Sequence, residues 1–200
     1  MFIQKIDEAV SSFMLLLHGS DFVNHFLKFF TLLGEAGIIW IISLLVLLIV
    51  VVIKKRKMPI VLLSGAVALL IGWLFNDFFL KEIIARVRPY QNYDAFKDAF
   101  IVFMNQLSYE LPSGYSFPSG HSFSSFNAAT TLCLYNKKLG YISYPVAFII
   151  AFSRIFLGAH YLTDVLVGSL LGVLFGFGGY FIGNKILTCK KVNSWKYATR

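Results

Sequence analysis

MPIVLLSGAVALLIGWLFN, residues 58 to 76, holds no charged side chain, and the stretch after it, DFFLKEIIARVRPY (77 to 90), is rich in them. Nineteen residues as helix span roughly 28 Å, close to the hydrocarbon thickness of a bilayer. The run therefore reads as a membrane span that ends in a polar interface. Working outward, residues 36 to 53 and 165 to 184 are also uncharged, and two shorter uncharged runs, 122 to 136 and 139 to 153, can be lengthened by polar residues facing protein. The expectation is an all-α polytopic membrane bundle. Its five core transmembrane helices lie at about 36–53, 58–80, 120–136, 139–156 and 162–185, within one membrane-embedded domain over residues 1–200.

Composition agrees with this reading. The chain is 58% hydrophobic and 14% charged, with a mean hydropathy of +0.72, which excludes an ordinary soluble domain. The net charge of +8 does not point to nucleic acid, because the basic residues are confined to particular loops. Lys54, Lys55, Arg56 and Lys57 follow the first span, Lys137 and Lys138 follow the third, and Lys185, Lys190, Lys191, Lys196 and Arg200 follow the fifth. No acidic residue lies among them. By the positive-inside rule these segments, and the C-terminus, are cytoplasmic. All ten acidic residues then fall on the opposite face.

Residues 1–35 are amphipathic and of mixed charge, with Lys5, Asp7, Glu8, Asp21, His25 and Lys28 interrupting the apolar stretches. They read as two short interfacial helices hinged near Gly19, with a buried hairpin as the alternative. No basic segment followed by a small-residue cleavage site marks a removed signal peptide. Cys133 and Cys189 both fall toward cytoplasmic span ends, which argues against a disulfide. The glycines at 168, 172, 176, 179 and 183 predict close helix packing within the bundle, or else a homodimer.

Three polar clusters share the outer face. Lys81 and Arg88 sit two turns apart if the helix continues through KEIIARVRP; snorkelling to headgroups is the bland reading of such residues. Pro118, Ser119, Gly120 and His121 open the third span, where a helix N-terminus with a glycine offers free N–H groups to an anion; simple capping is the alternative. Ser153 and Arg154 end the fourth span, and His160 and Asp164 open the fifth at i and i+4, so that the carboxylate can hold one ring nitrogen protonated and leave the other as a nucleophile. Together the cations Lys81, Arg88 and Arg154 beside two histidines suggest a phosphoryl group, whose transfer is catalysed by positioning and charge neutralisation. The same cations disfavour zinc on His121, His160 and Asp164, so no metal and no cofactor are expected. Asp77, one turn before Lys81, is expected to pair with it and aim the ammonium. Glu35 lies near the same face without an assigned role. The long connection from Tyr90 to Phe117, with a short surface helix around 93 to 107, invites a part in selectivity.

K-x6-R-P at Lys81, Arg88 and Pro89, P-S-G-H at 118–121, and S-R-x5-H-x3-D at Ser153, Arg154, His160 and Asp164 make the chain similar to the type 2 phosphatidic acid phosphatase (PAP2) family. The motifs cover residues 81 to 164, and the helix layout extends the resemblance to most of the chain. The resemblance implies a bundle that hydrolyses the phosphate of a membrane lipid, with no nucleic-acid partner. His160 is implied as the nucleophile, Asp164 as its orienter and His121 as the general acid. Lys81, Arg88, Ser119, Gly120, Ser153 and Arg154 are implied as the phosphate cradle. Small bacterial members acting on phosphatidylglycerophosphate, phosphatidate or undecaprenyl pyrophosphate at the outer face of the inner membrane are the nearest in kind. Lipid A and sugar phosphate phosphatases, or a transporter or receptor binding phosphate without chemistry, are the alternatives.

Overall fold

Ser, Thr and Asn crowd the third predicted span, and the fold explains why. In the computed structural model, which describes residues 2–54, 60–92, 94–110 and 112–198, with side chains except at 36, 94–96 and 187–198, this helix lies at the centre. It is α8 (Gly120–Tyr135). It packs against α4 (Ile60–Phe75), α9 (Lys137–Phe156) and α10 (Leu162–Ala198). Ser122, Ser125, Asn127, Thr130 and Thr131 are all buried on it. At 16 residues it is only about 24 Å long, which suffices for an interior helix whose neighbours meet the lipid.

The remaining elements are α1 (Phe2–Leu16), α2 (Asp21–Leu33), a 3-10 turn (Glu35–Gly37), α3 (Ile38–Ile53), a π turn (Asn76–Leu80), α5 (Lys81–Ile84), α6 (Pro89–Asn92) and α7 (Asp94–Gln106). No strand occurs among the described residues. Three segments, Ile60–Asn92, Lys137–Phe156 and Leu162–Ile186, are each long and apolar enough to cross a membrane, and α2 with α3 qualifies jointly across a 56° bend. Lys55, Arg56, Lys57, the expected span start at Met58, Arg200, and the side chains of Cys189, Lys190, Lys191 and Lys196 fall outside the described residues.

The glycine repeat of α10 is used within the chain. A Cβ at Gly168 would come within 2.5 Å of the Ser119 carbonyl oxygen, and one at Gly176 within 2.8 Å of Thr130. Gly179 and Gly183 meet Ser64 on α4 in the same way. Small residues here let α10 seat closely on α8 and α4, so the stripe is already occupied and the homodimer expectation loses its support.

The N-terminal helices are hinged at His18–Ser20, as the glycine suggests, and they dock on the bundle. Helix α1 contacts α7, α9 and α10, and α2 packs on α9. Their inward faces are polar, with Asp7, Ser11, Asn24 and Thr31 buried, while Phe2, Phe13, Leu16, Phe22 and Phe29 face outward and exposed. That inversion of the soluble pattern fits an apolar surrounding. Helix α7 is more than a surface helix: Phe100, Phe103 and Met104 are buried, the last two in a cluster with Phe156 and Leu157.

Contrary to the sequence expectation, Lys81 and Arg88 do not share a helix, because α5 stops at Ile84 and Ala85 takes a left-handed conformation (φ 47°). The chain from Arg86 to Arg88 is irregular and lies beside the segment before α8, with Ser116 N donating to the Arg86 carbonyl at 2.8 Å.

Candidate active site

The break at Ala85 turns Arg88 inward, where it is 4% exposed. Its Nε donates to the Gly114 carbonyl, one Nη to Ser113 and the other to Ala159, each at 2.9 Å. One guanidinium thus fixes both the loop before α8 and the turn between α9 and α10. The turn (Leu157–Tyr161) carries His160, and its reversal uses Gly158 at φ 64°.

His160 is 3% exposed. Its Nδ1 lies 2.7 Å from the Ser116 carbonyl oxygen and 3.7 Å from an Asp164 carboxylate oxygen. A carbonyl can only accept, so Nδ1 carries the proton and Nε2 the lone pair. Nε2 faces Arg88 Nη1 at 3.3 Å. Burial first, then repulsion from Arg88 and Arg154, pushes the His160 pKa well below the usual imidazole value. The ring is therefore neutral near pH 7 with its lone pair available. The sequence spacing made Asp164 the partner of one ring nitrogen; it does lie beside Nδ1, but the nearer acceptor there is a main-chain carbonyl. Asp164 itself is fully buried, accepting from Tyr161 N at 3.0 Å and from Arg86 Nη1 at 2.6 Å.

Arg154 donates from one Nη to Thr31 Oγ1 (2.5 Å) and to the Tyr109 hydroxyl (2.7 Å), while its buried Nε meets no acceptor among the described residues. His121, at the first turn of α8, faces Glu35 at 3.6 Å across from the 3-10 turn. The approach depends on Gly34, where a Cβ would lie 2.9 Å from His121 Cδ2 and 2.6 Å from Ile150. Asp77 pairs with Lys81, the contact that the i,i+4 spacing predicts.

These groups surround a cavity of about 1230 Å³. Lys81, Asp77, Arg88, Gly120, His121, Arg154 and His160 line one end, with Glu35, Lys28 and Tyr109. The other end runs between α3 and α4, along Ile41, Leu44, Leu45 and Leu48 on one side and Ala66, Leu69, Leu70 and Trp73 on the other. Two candidate cradle residues are employed elsewhere. Ser119 Oγ caps α8, receiving Ser122 N at 3.4 Å and Ser122 Oγ at 3.0 Å, and Ser153 Oγ donates to the Ile150 carbonyl at 2.7 Å. Both are fully buried and neither lines the cavity. Pro118 follows a cis peptide bond from Phe117 and shapes the turn into α8.

A cationic pocket beside two histidines opens here into an apolar cleft of a membrane bundle, an arrangement suited to a phosphoryl group carried on an amphiphile. The family model of the PAP2 superfamily matches residues 60–186, and the chain belongs to that family. It is 29% identical over 195 residues to phosphatidylglycerophosphatase B of Bacillus subtilis (strain 168), covering 88% of this chain and 82% of the relative. It is also 29% identical over 113 residues to the lipid A 4'-phosphatase of Bacteroides thetaiotaomicron, covering 54% of this chain and 47% of that one. Among solved structures, the PAP2-type phosphatidylglycerolphosphate phosphatase of Bacillus subtilis superposes with a TM-score of 0.73 at 25% identity, over 92% of this chain and 87% of the other. The protein is a PAP2 membrane lipid phosphatase.

Sequence reasoning missed the groups that reach the site from outside the motifs. Thr31 and Tyr109 carry no charge to flag them. Arg86 stood within the quoted basic stretch, but its role needs the left-handed break at Ala85, which no residue there announces. The Ser116 carbonyl has no side-chain signal.

Proposed function

We propose that the protein hydrolyses the phosphomonoester or pyrophosphate of a membrane lipid through a phosphohistidine at His160, without a metal ion, on the extracytoplasmic face of the plasma (inner) membrane. The observation that carries this reading is His160 itself: a buried, neutral ring with Nδ1 committed to a carbonyl and Nε2 facing Arg88, in a cavity that Arg154 and Lys81 also line. In the first step the Nε2 lone pair attacks phosphorus in line, the bond to the leaving oxygen breaks, and protonated His121 gives that oxygen its proton. In the second, neutral His121 takes a proton from water as the water oxygen attacks phosphorus, and the P–N electron pair returns to Nε2. Arg154 Nε, Lys81, the remaining Arg88 N–H and the Gly120 N–H hold the equatorial oxygens. Asp164 and Asp77 orient, and the Ser119 and Ser153 hydroxyls are given no phosphate contact.

The apolar α3–α4 end of the cavity supports a lipid tail lying alongside while the headgroup is processed. Basic Lys54, Lys137 and Lys138 at the opposite ends of their helices support the sidedness. Phosphatidylglycerophosphate, phosphatidate and undecaprenyl pyrophosphate are the candidate substrates, with a lipid A 4'-phosphate added by the second relative. Phosphate release by purified protein in EDTA, with the four lipids side by side, tests both the reaction and its substrate. Full activity of His160→Ala would overturn the nucleophile. Phosphate binding without any turnover would favour a receptor or transporter.

A further inference from the structure

Asp7 lies outside every motif and outside the region matched by the family model, yet it is completely buried. It sits on α1 and reaches across to the start of α10. One carboxylate oxygen accepts from Thr163 N at 3.0 Å, and the other from Thr163 Oγ1 and Arg86 Nη2, both at 2.6 Å. Arg86 continues the chain. Its second Nη donates to Asp164 Oδ1 at 2.6 Å and to Thr163 Oγ1 at 2.7 Å, and its guanidinium carbon lies 3.9 Å over the Tyr161 ring. Its main-chain carbonyl meanwhile accepts from Ser116 N at 2.8 Å.

We infer that Asp7 and Arg86 are positioning residues for the reaction, acting through His160; this rests on the proposed role of His160. Two oxygens face His160 Nδ1, the Ser116 carbonyl and the Asp164 carboxylate. Arg86 holds both residues that supply them, Ser116 through the N–H that its main-chain carbonyl receives and Asp164 through Oδ1, the carboxylate oxygen turned away from Nδ1. A guanidinium tied to Asp164 alone could swing with it. Asp7 anchors the far fork of the same guanidinium and also binds the N-terminus of α10, so Arg86 is clamped between two carboxylates whose own positions are fixed. Charges removed from water in this way are tolerated only with such complete pairing. Stability alone would be served by an apolar contact between α1 and α10. What the ion pairs add is direction, at a point where a small displacement of the nucleophile costs rate.

The test is a double-mutant cycle read on kcat, in the full-length enzyme in detergent micelles with phosphatidate. Asp7→Asn, which keeps shape, is expected to lower kcat about 10- to 100-fold with KM changed less than about twofold. In an Asp164→Asn background the same change should cost less than about twofold more, because the chain it serves is already cut. Equal factors in both backgrounds, or a kcat loss that vanishes when the assay is run well below the variant's melting temperature, would mean that Asp7 only stabilises the fold and would overturn the inference. If Asp7→Asn does not fold, Arg86→Lys, which keeps charge but loses the fork, carries the same cycle and the same outcomes. An inactive Asp7 variant beside a fully active His160→Ala would instead overturn the nucleophile, so the two failures are distinguishable.

Discussion

The two histidines of the site are held in opposite ways. His160 is 3% exposed, with Nδ1 2.7 Å from a carbonyl and backed by the bonded chain of Asp164, Arg86 and Asp7. His121 is also mostly enclosed, at 13% exposure, but its Nε2 has no hydrogen-bond partner among the described residues, and the carboxylate it faces at 3.6 Å is largely exposed. A group that must present one lone pair to phosphorus gains from rigid orientation. A group that must give a proton to one oxygen and take it from another gains from freedom to reach both. The tight wall and the loose wall thus match the proposed nucleophile and the proposed acid.

The strongest way to break this comparison is to remove each ring in turn and vary the leaving group. His160→Ala should lose activity on the order of 10⁴-fold or more on every substrate, since no covalent step can occur. His121→Ala should lose about 10²- to 10⁴-fold on a lipid alkoxide, yet much less on p-nitrophenyl phosphate, whose phenolate leaves without a proton. Parallel losses for both variants on both substrates would erase the distinction. Rapid quench of labelled substrate adds a second view: acid-labile, alkali-stable label should form on the wild type and not on His160→Ala.

The tight wall also sets a pH expectation. Burial and the neighbouring Arg88 keep the His160 pKa below the usual imidazole value, so the lone pair is available above that lowered value and is lost only as pH falls through it. The acid limb of kcat/KM should therefore lie below pH ~6.5, where an unperturbed histidine would place it. A limb at or above that pH would mean that the ring is less buried in the working enzyme.

How much of this was legible in the sequence differs between the walls. His121 could be placed from topology because it opens a continuous helix, and the Asp77–Lys81 pair from its i,i+4 spacing, which survives the π turn between α4 and α5; Glu35 could be placed only near the same face. On the tight wall, His160 and Asp164 were legible but their connection only in part: the i,i+4 rule put the carboxylate beside one ring nitrogen, where it lies at 3.7 Å from Nδ1, while the Ser116 carbonyl takes the hydrogen bond. That carbonyl is delivered by a non-helical stretch of chain pairing with Arg86 after a left-handed residue, Ala85, where helical periodicity has no meaning. Helix α8 was legible as a span because its polar residues could face protein, and the fold encloses it between α4, α9 and α10.

The loose wall should respond more gently. Glu35→Gln keeps the shape of the side chain but removes the charge that stabilises a protonated ring beside it, so kcat on phosphatidate should fall about 10-fold, with p-nitrophenyl phosphate nearly unaffected. Gly34→Ala tests the same contact by space instead of charge. Its methyl group would press on His121 Cδ2 and Ile150, and the expected outcome is a similar kcat loss together with a lower melting temperature. An effect of Gly34→Ala on stability alone would mean that His121 has room to move aside.

The smallest effect is expected at the cavity's cationic rim. Lys81 is partly exposed and its partner Asp77 about equally so, and pairs in such surroundings are worth little in stability, about 0–1 kcal/mol. Asp77→Asn should leave the melting temperature where it is. Without the carboxylate the ammonium is free to swing, but it also carries its full charge toward the phosphate, so the two consequences oppose each other. Asp77 holds the ammonium at the cavity wall that both residues line, and a long, flexible lysine stem released from that hold spreads its charge over many positions, so the loss of aim outweighs the gain in charge. Inhibition by orthovanadate should accordingly weaken by about threefold, a change of roughly 0.7 kcal/mol. Unchanged inhibition would show that Lys81 finds the phosphate without Asp77, and the site's precision would then reside wholly in the wall that holds His160.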